Sequence, residues 1–202
     1  MAIKRFEQKD IMDLDQDIAQ SCDMVYTDPP WGNRMVKWFE TDMRKAGYLP
    51  PSNTIDQIIN RLFELAPQGR PLFCEYGKSG FERVVQIGRQ NGFDFIRTIA
   101  GTQRSKHPFV IIQFNSDMPK PLEHIHGFDL FKKAMQWHRP KTIFEPFAGL
   151  GITSKIISEF GCDVIANELN PKRAKKFMEN LDMEKNLNDH SRCAMGRDTG
   201  YS

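Results

Sequence analysis

The sequence predicts an α/β fold, and two observations carry that prediction. Apolar, β-branched and aromatic runs alternate along the 202-residue chain with segments whose apolar residues recur at helical spacing. Near residue 145 an apolar strand turns through two glycines into a helix and then into another strand, which is the pattern of a βαβ unit. Alternation of this kind is typical of a sheet covered by helices.

The first part of the chain predicts five strands, at 3–7, 23–27, 72–76, 93–99 and 109–114. The polar stretch between the last two is too short for a crossover helix, so these strands should form an antiparallel hairpin. Asn53 or Thr54 can cap a helix that stops before Pro67, and another helix is predicted over 79–90. Two prolines end the second strand abruptly.

The later part of the chain predicts the βαβ unit and its flanking helices. A helix over 128–138 precedes a strand at 142–145, a helix through Phe160 and a strand at 162–168. Pro171 then begins a last helix, because proline suits the first helical position. The segment 185–202 has few apolar residues and no period, so a disordered tail is expected there.

Composition limits the class of protein. The hydrophobic fraction of 40%, with no apolar run near the ~20 residues of a membrane span and no secretory signal, predicts a cytoplasmic protein without membrane attachment. The four cysteines stand far apart, and we expect reduced thiols and no metal site. The net charge of +2 means that any nucleic-acid binding must use a local basic patch.

The βαβ unit indicates a nucleoside-containing cofactor. Gly149 and Gly151 let the backbone of the turn approach a ligand without Cβ interference. Glu168 ends the next strand, where a carboxylate can accept hydrogen bonds from both hydroxyls of a ribose. Ser154 stands where a dinucleotide fold would have a third glycine, which favours S-adenosylmethionine (SAM) over NAD. A glycine turn without any ligand is the structural alternative.

The tetrapeptide Asp28-Pro29-Pro30-Trp31, which follows a buried strand, suits methylation of an exocyclic amino group. The lone pair of such a nitrogen is delocalised into the base, so catalysis must concentrate electron density there. The Asp28 carboxylate and the Pro29 carbonyl can each accept one hydrogen of the amino group. Trp31 offers an apolar face for a base removed from its stack. An ordinary strand-ending turn is the alternative.

The two motifs together resemble the β class of DNA amino-methyltransferases, in which the catalytic tetrapeptide precedes the glycine loop. The resemblance covers most of the chain and implies a Rossmann-like, doubly wound, seven-stranded methyltransferase sheet that is circularly permuted and contains the antiparallel hairpin. It implies a single domain over 1–184, with a catalytic half at 1–121 and a cofactor half at 128–184.

The resemblance also implies a set of cofactor contacts. Asp10 and Ile11 look like the family's adenine-binding position, whereas Glu145 replaces the usual aspartate ahead of Pro-Phe and should still reach the methionyl amine. S-adenosylhomocysteine is the implied product. The full set of expected cofactor-binding residues is Asp10, Ile11, Asp28, Glu145, Phe147, Ala148, Gly149, Gly151, Glu168 and Leu169.

Two polar segments are candidates for nucleic-acid contact. After the tetrapeptide, Arg34, Lys37 and Trp38 combine cations with an aromatic ring, although a solvated amphipathic helix would look the same. In the hairpin connection, the candidates for phosphate contact are Arg104, Lys106 and His107, which as surface charges could also be merely solvated.

The leading functional prediction is N6 methylation of adenine in DNA, because Asp28 begins the tetrapeptide where cytosine-N4 enzymes of the family often carry serine. Cytosine-N4 methylation of DNA, N6 methylation of adenosine in RNA, and a non-catalytic nucleic-acid-binding partner subunit stay open as alternatives. The segment 115–127 is short for a target-recognition region, so sequence-specific reading should be minimal. The resemblance also implies a homodimer.

Overall fold

The computed structural model describes residues 3–101, 108–120 and 125–181. The helices are α1 (Asn33–Lys45), α2 (Ile55–Leu65), α3 (Phe81–Gln90), α4 (Gly127–His138), α5 (Ile152–Glu159) and α6 (171–181), and a short 3-10 helix spans Ile11–Asp13. The strands are β1 (Ile3–Glu7), β2 (Met24–Thr27), β3 (Leu72–Gly77), β4 (Phe95–Ala100), β5 (Phe109–Phe114), β6 (Thr142–Glu145) and β7 (Asp163–Asn167).

The strands form one mixed sheet in the order β1-β7-β6-β2-β3-β5-β4. The neighbours from β1 to β3 are parallel, whereas β5 runs antiparallel to both β3 and β4. The predicted hairpin is therefore confirmed. The carboxyl ends of β2, β6 and β7 meet at one edge of the sheet, where parallel α/β sheets usually bind ligands. The tetrapeptide follows β2, the glycine loop follows β6 and Glu168 follows β7, whereas Asp10 and Ile11 follow β1.

The core lies on both faces of the sheet, as expected for an α/β fold. One apolar cluster packs α2 and α3 on the sheet and includes Phe63 and Phe114, both fully buried. The other includes Phe131 of α4 and Phe177 of α6. The thiols of Cys22, Cys74 and Cys162 are free and buried, whereas Cys193 lies outside the described residues. No helix in the described ranges is long and apolar enough to cross a bilayer.

Local sequence explains where α2 and α3 begin. Thr54 caps α2 through a capping box, since its hydroxyl accepts from the Gln57 backbone N–H while the Gln57 side chain accepts from the Thr54 N–H. The helix predicted from residue 79 begins instead at Phe81, because Gly80 takes a left-handed conformation. The strand predicted from Phe93 begins at Phe95. Phe93 itself is buried against Phe63.

Gly88 of α3 gives the first testable prediction. A Cβ at this position would lie 2.7 Å from the Phe114 ring and 2.8 Å from the Phe63 ring. Alanine usually stabilises a helix by up to about 1 kcal/mol relative to glycine, but overpacking costs about 1–3 kcal/mol, so Gly88→Ala should destabilise the protein. Urea unfolding will measure this. The control Gln90→Ala, at an exposed position in the same helix, should leave the free energy of unfolding unchanged. Equal stability of the two variants would contradict the close packing of the Phe63 and Phe114 rings on Gly88.

Candidate active site

A cavity of about 470 Å³ opens at the carboxyl ends of β2, β6 and β7. It is open enough for a nucleoside-sized ligand and combines apolar walls with several carboxyl groups. The predicted site residues that line it are Asp10, Ile11, Asp28, Pro29, Pro30, Trp38, Glu145, Phe147, Ala148, Gly149, Glu168 and Leu169. The tetrapeptide and the glycine loop, about 120 residues apart in sequence, thus form walls of one cavity.

Trp31 does not line the cavity. Its indole N–H donates a hydrogen bond of 2.9 Å to Oδ1 of Asp28, and its ring is stacked near Phe109 with centroids 6.1 Å apart. The ring also covers Gly77, where a Cβ would lie 3.3 Å from the indole. In this conformation Trp31 orients the Asp28 carboxylate. Its stacking on a target base stays a prediction that would require the ring to turn.

Asp28 lies at the cavity wall, and the residue as a whole is exposed to solvent. Protein nevertheless surrounds it beyond the cavity, and this desolvation raises the pKa of Asp28 to about 6. The hydrogen bond from Trp31 and the positive charge of Arg173 oppose that rise. At neutral pH the carboxyl group is therefore mostly ionised and able to accept a hydrogen bond from an amino group.

The glycine loop and Glu168 hold each other in place. The Gly149 N–H donates to Oε2 of Glu168 at 2.8 Å, and the Asn170 N–H donates to Oε1 at 2.7 Å. Gly149 takes a φ of 57°, in the left-handed region that favours glycine. Each oxygen of Glu168 keeps a further lone pair for a ligand, since a carboxylate has about four acceptor sites. Burial is the main cause that raises the pKa of Glu168.

Gly151 has a packing reason for being glycine. It precedes α5 with a φ of 82°, and a Cβ there would lie 2.8 Å from the Phe177 ring of α6. Gly151 is not among the residues that line the cavity. Of the two glycines singled out in the sequence, Gly149 therefore faces the cavity and Gly151 lets α6 pack closely. A cofactor contact at Gly151 stays a prediction.

Glu145 ends β6 on the floor of the cavity and is buried. The Ser154 hydroxyl of α5 donates a short hydrogen bond to its Oε2. Burial raises the pKa of Glu145 to about 8, although the hydrogen bonds from Ser154 and Thr153 oppose the rise. Ser154, which departs from the dinucleotide pattern, thus supports the longer acid that replaces aspartate here.

Glu145 leads to a prediction about pH. A carboxyl group whose pKa is raised in the folded state stabilises the fold fully at pH values below its ordinary pKa. For Glu145 this stabilisation is lost as the pH rises toward about 8. The raised pKa values of Asp28, Glu75 and Glu168 change the stability in the same direction. The unliganded protein should therefore lose stability as the pH rises from about 4.5 to about 8, by at most about 1.4 kcal/mol per pH unit for each carboxyl group that titrates.

The test is urea unfolding of the wild type and of Glu145→Gln across the same window. The variant keeps the shape of the side chain and cannot ionise, so its stability should vary less with pH than that of the wild type. Glu159→Gln, at an exposed position in α5, is the matched control and should keep the slope of the wild type. Parallel pH profiles of the wild type and Glu145→Gln would show that Glu145 does not titrate in this way.

Asp10 and Ile11, which follow β1, also line the cavity. Asp10 caps the short 3-10 helix through the Met12 N–H at 3.1 Å, and its Oδ2 accepts a hydrogen bond of 2.6 Å from the Asn53 side chain. Asn167 ties this segment to β7, because its Oδ1 accepts from the Lys9 N–H at 3.2 Å. The position predicted to bind the adenine ring is thus braced by side chains from two other segments.

The segment after Trp31 is a helix, and one of its faces is a cavity wall. The sequence left open whether this stretch was a solvated helix or a nucleic-acid contact. Trp38 and Phe39 lie under the Arg173 guanidinium at 5.9 and 4.7 Å from their ring centroids, and Asp42 accepts from the Asn170 side chain at 2.9 Å. These contacts attach α1 to the start of α6 across the cavity.

The basic residues proposed for nucleic-acid contact are only partly described. Arg34 and Lys37 are exposed on α1 and do not line the cavity, whereas Trp38 is 55% exposed and lines it. The other three candidates, Arg104, Lys106 and His107, lie outside the described residues, as does the predicted tail.

Several cavity residues carried no recognisable sequence signal. Tyr26 and Glu75 line the cavity from neighbouring strands, and the Tyr26 hydroxyl donates a short hydrogen bond to Oε1 of Glu75. Arg173 is a cation on the cavity wall, although in the sequence it looked like one of many charges of a terminal helix. The sequence signal for Glu75 was that it is the charged residue in the otherwise apolar run at 72–76.

Comparison with solved structures places the fold, although no protein-family model and no curated protein matches the sequence. M1.HpyAVI matches with a TM-score of 0.60 and 15% identity, over 88% of this chain and 98% of that chain. TTHA0409 of Thermus thermophilus, a candidate DNA modification methylase, gives 0.60 and 16%, over 89% and 94%. The cytosine-N4-specific PvuII DNA methyltransferase gives 0.51 and 10%, over 88% and 89%.

The chain therefore has the Rossmann-like fold of methyltransferases, and the predicted seven-stranded α/β sheet with its antiparallel hairpin is confirmed. Structures of M1.HpyAVI and TTHA0409 with bound SAM match with TM-scores of 0.60 and 0.58. Identities of 10 to 16% make these likenesses of fold. The reaction of this chain must therefore be inferred from the residues that line its own cavity.

Proposed function

We propose that this protein transfers the methyl group of SAM to the N6 amino group of adenine in DNA. The main support is the cavity that the Asp28 tetrapeptide and the glycine loop line together. The glycine loop is hydrogen-bonded to Glu168, the acid expected to bind the ribose of SAM. The structural likeness to DNA methyltransferases, one of them specific for cytosine N4, supports transfer to an exocyclic amino group. The likeness does not separate adenine from cytosine, and Asp28 is the reason for favouring adenine.

The cavity residues suit SAM. Asp10 and Ile11 would hold its adenine, Glu168 its ribose hydroxyls, and Glu145 its methionyl amine. The residues Phe147, Ala148, Gly149 and Leu169 would complete the contacts. SAM supplies a methyl group activated by a sulfonium charge. A cavity with carboxyl groups at Asp28, Glu145 and Glu168 is electrostatically suited to a cofactor with net positive charge.

The chain's own part in the transfer is positioning. The Asp28 carboxylate and the Pro29 carbonyl would accept the two hydrogens of the target amino group and direct its lone pair toward the methyl group. Trp31 keeps Asp28 in place through its indole N–H. The base must leave its stack to enter the cavity, so single-stranded or mismatched DNA should react well.

The decisive experiment incubates the purified protein with SAM and DNA from a methylation-deficient bacterial host, native and heat-denatured, and with total RNA from that host. Nucleoside mass spectrometry should find N6-methyladenine in DNA. Only N4-methylcytosine, or methylation of RNA alone, would replace the proposal by one of its alternatives. Cofactor binding without any transfer would favour the non-catalytic partner subunit.

The remaining family features are proposals as well. The position of β1 beside β7, with the glycine loop after β6 and the tetrapeptide after β2, supports a circularly permuted sheet. The single domain over 1–184, with its catalytic half at 1–121 and its cofactor half at 128–184, belongs to the same proposal. The homodimer implied by the resemblance is testable by analytical ultracentrifugation.

A further inference from the structure

A buried carboxyl group with no role in the steps above lies on the cavity wall. Glu75 is in the middle of β3, is only 6% exposed, and lines the cavity together with Asp28. Its Oε1 accepts the short hydrogen bond from the Tyr26 hydroxyl. Tyr26 precedes Asp28 by two positions and lines the same cavity. A buried carboxyl group is costly unless it is paired, so its presence here needs an explanation.

The surrounding structure holds this carboxyl group in one place. The Tyr26 ring packs on Phe131 of α4 with centroids 4.0 Å apart, which fixes the hydroxyl that Glu75 accepts from. At Gly127, the first residue of α4, any Cβ would collide with the Glu75 carboxyl group, whose Cδ would be 2.9 Å away. Glycine at this position leaves the space that the acid occupies. Glu75 is therefore a supported acid with a defined orientation.

The pKa of Glu75 lies close to neutral pH. Burial first, and then the charge of Asp28, raise the pKa of Glu75 to about 7, while the hydrogen bond from Tyr26 opposes the rise. Proton transfer is most efficient when the pKa of the acceptor is close to the working pH. The titratable groups that face this region are Tyr26, Asp28 and Glu145, beside the non-titratable Ile111 on β5 and Gly127 and Phe128 on α4. Cys74, the neighbour of Glu75 in β3, packs on the opposite face of the sheet.

Methylation of an amino group releases one proton in every turnover. The nitrogen lone pair forms the new N–C bond, and the C–S bond breaks with its electron pair remaining on sulfur. One N–H bond then breaks, its electrons return to nitrogen, and the proton needs an acceptor. We propose that Glu75 accepts this proton, directly or through Asp28 or a water molecule, and that Tyr26 positions Glu75. This inference rests on the proposed function.

The first test is Glu75→Gln, which keeps the shape of the side chain and removes the acceptor. Single-turnover methyl transfer to DNA from the methylation-deficient host should slow by about 100-fold, within the usual range for a general base. The pH at which the rate rises should also fall, from near the pKa of Glu75 toward the pKa of Asp28. The positive charge of bound SAM should lower the pKa of both carboxyl groups, so all proteins are compared at the same saturating SAM concentration.

The second test is Tyr26→Phe, which removes only the hydrogen bond. Since that bond lowers the pKa of Glu75, its loss should move the rise of the rate to higher pH. The two variants thus shift the pH profile in opposite directions. A merely structural role would lower stability without moving the profile, and Tyr26→Phe keeps the test available if Glu75→Gln does not fold.

The control is Glu82→Gln, at an exposed position on α3, which should leave the rate and the profile unchanged. Calorimetric titration with SAM should give similar affinities for all of these proteins. A wild-type pH profile in Glu75→Gln, or an unshifted profile in Tyr26→Phe, would overturn the inference while leaving the proposed function intact. Absence of transfer by the wild type would instead count against the proposed function itself.

Discussion

Replacing Asp28 with alanine should abolish methyl transfer while SAM binding remains measurable by calorimetry. The carboxylate is held by the Trp31 indole at 2.9 Å and faces the cavity, so it can meet an incoming amino group. Loss of a hydrogen-bonding group that acts mainly in the transition state costs about 100- to 1000-fold in rate. We therefore expect the single-turnover rate to fall to that extent or further, since delocalisation into the base leaves the amino group a poor nucleophile.

The matched variant Asp28→Asn separates charge from shape. An asparagine oxygen can still accept one hydrogen bond but lacks the negative charge, so its rate should lie between those of the wild type and Asp28→Ala. Asp94→Ala, at an exposed aspartate before β4, should behave as the wild type. Equal rates of the wild type and Asp28→Ala would remove Asp28 from the mechanism. Loss of SAM binding in Asp28→Ala would make Asp28 mainly a cofactor residue.

Replacing Glu168 with alanine should weaken SAM binding by about 100-fold, equivalent to about 2.7 kcal/mol. The carboxylate is expected to accept hydrogen bonds from the ribose hydroxyls, and bonds to a charged group contribute about 1.5–3 kcal/mol each. The variant also leaves the Gly149 and Asn170 N–H groups without their acceptor. The glycine loop should then lose part of its order, and the affinity should fall further.

Isothermal titration with SAM measures this affinity. Glu168→Gln keeps an acceptor oxygen for one of the two backbone N–H groups, so it should bind more tightly than Glu168→Ala. Glu159→Ala, on the exposed side of α5, is the control for a lost surface carboxylate. SAM affinity in Glu168→Ala equal to that of the wild type would mean that the ribose lies elsewhere in the cavity.

The sequence was a good guide to elements whose signals are local. Thr54 before α2, the prolines after Asp28, and Gly151 before α5 each act within a few residues, so their patterns predicted the corresponding boundaries. The predicted hairpin of β4 and β5 also followed from its short connection. Boundaries moved by about two residues where a glycine, such as Gly80, set the start of a helix.

The side-chain roles in the site were harder to predict. Trp31 looked like a stacking platform, but Gly77 and Phe109 come from β3 and β5 and hold its ring beside Asp28. Glu75 lay in a run that indicated only a buried strand. Arg173 reaches Phe39 from the far end of the chain. Each of these contacts joins residues that no short-range pattern relates.

The sequence by itself determined the α/β class, the order of the two motifs, and the positions of Asp28 and Glu168 at strand ends. These are consequences of residue type and spacing, which act within one element or turn. Only the tertiary structure decided that β2 lies between β6 and β3, and hence that Tyr26, Asp28 and Glu75 share a cavity with Glu145. Strand order arises from the packing of the whole sheet, because distant strands gain burial only when all of them assemble together.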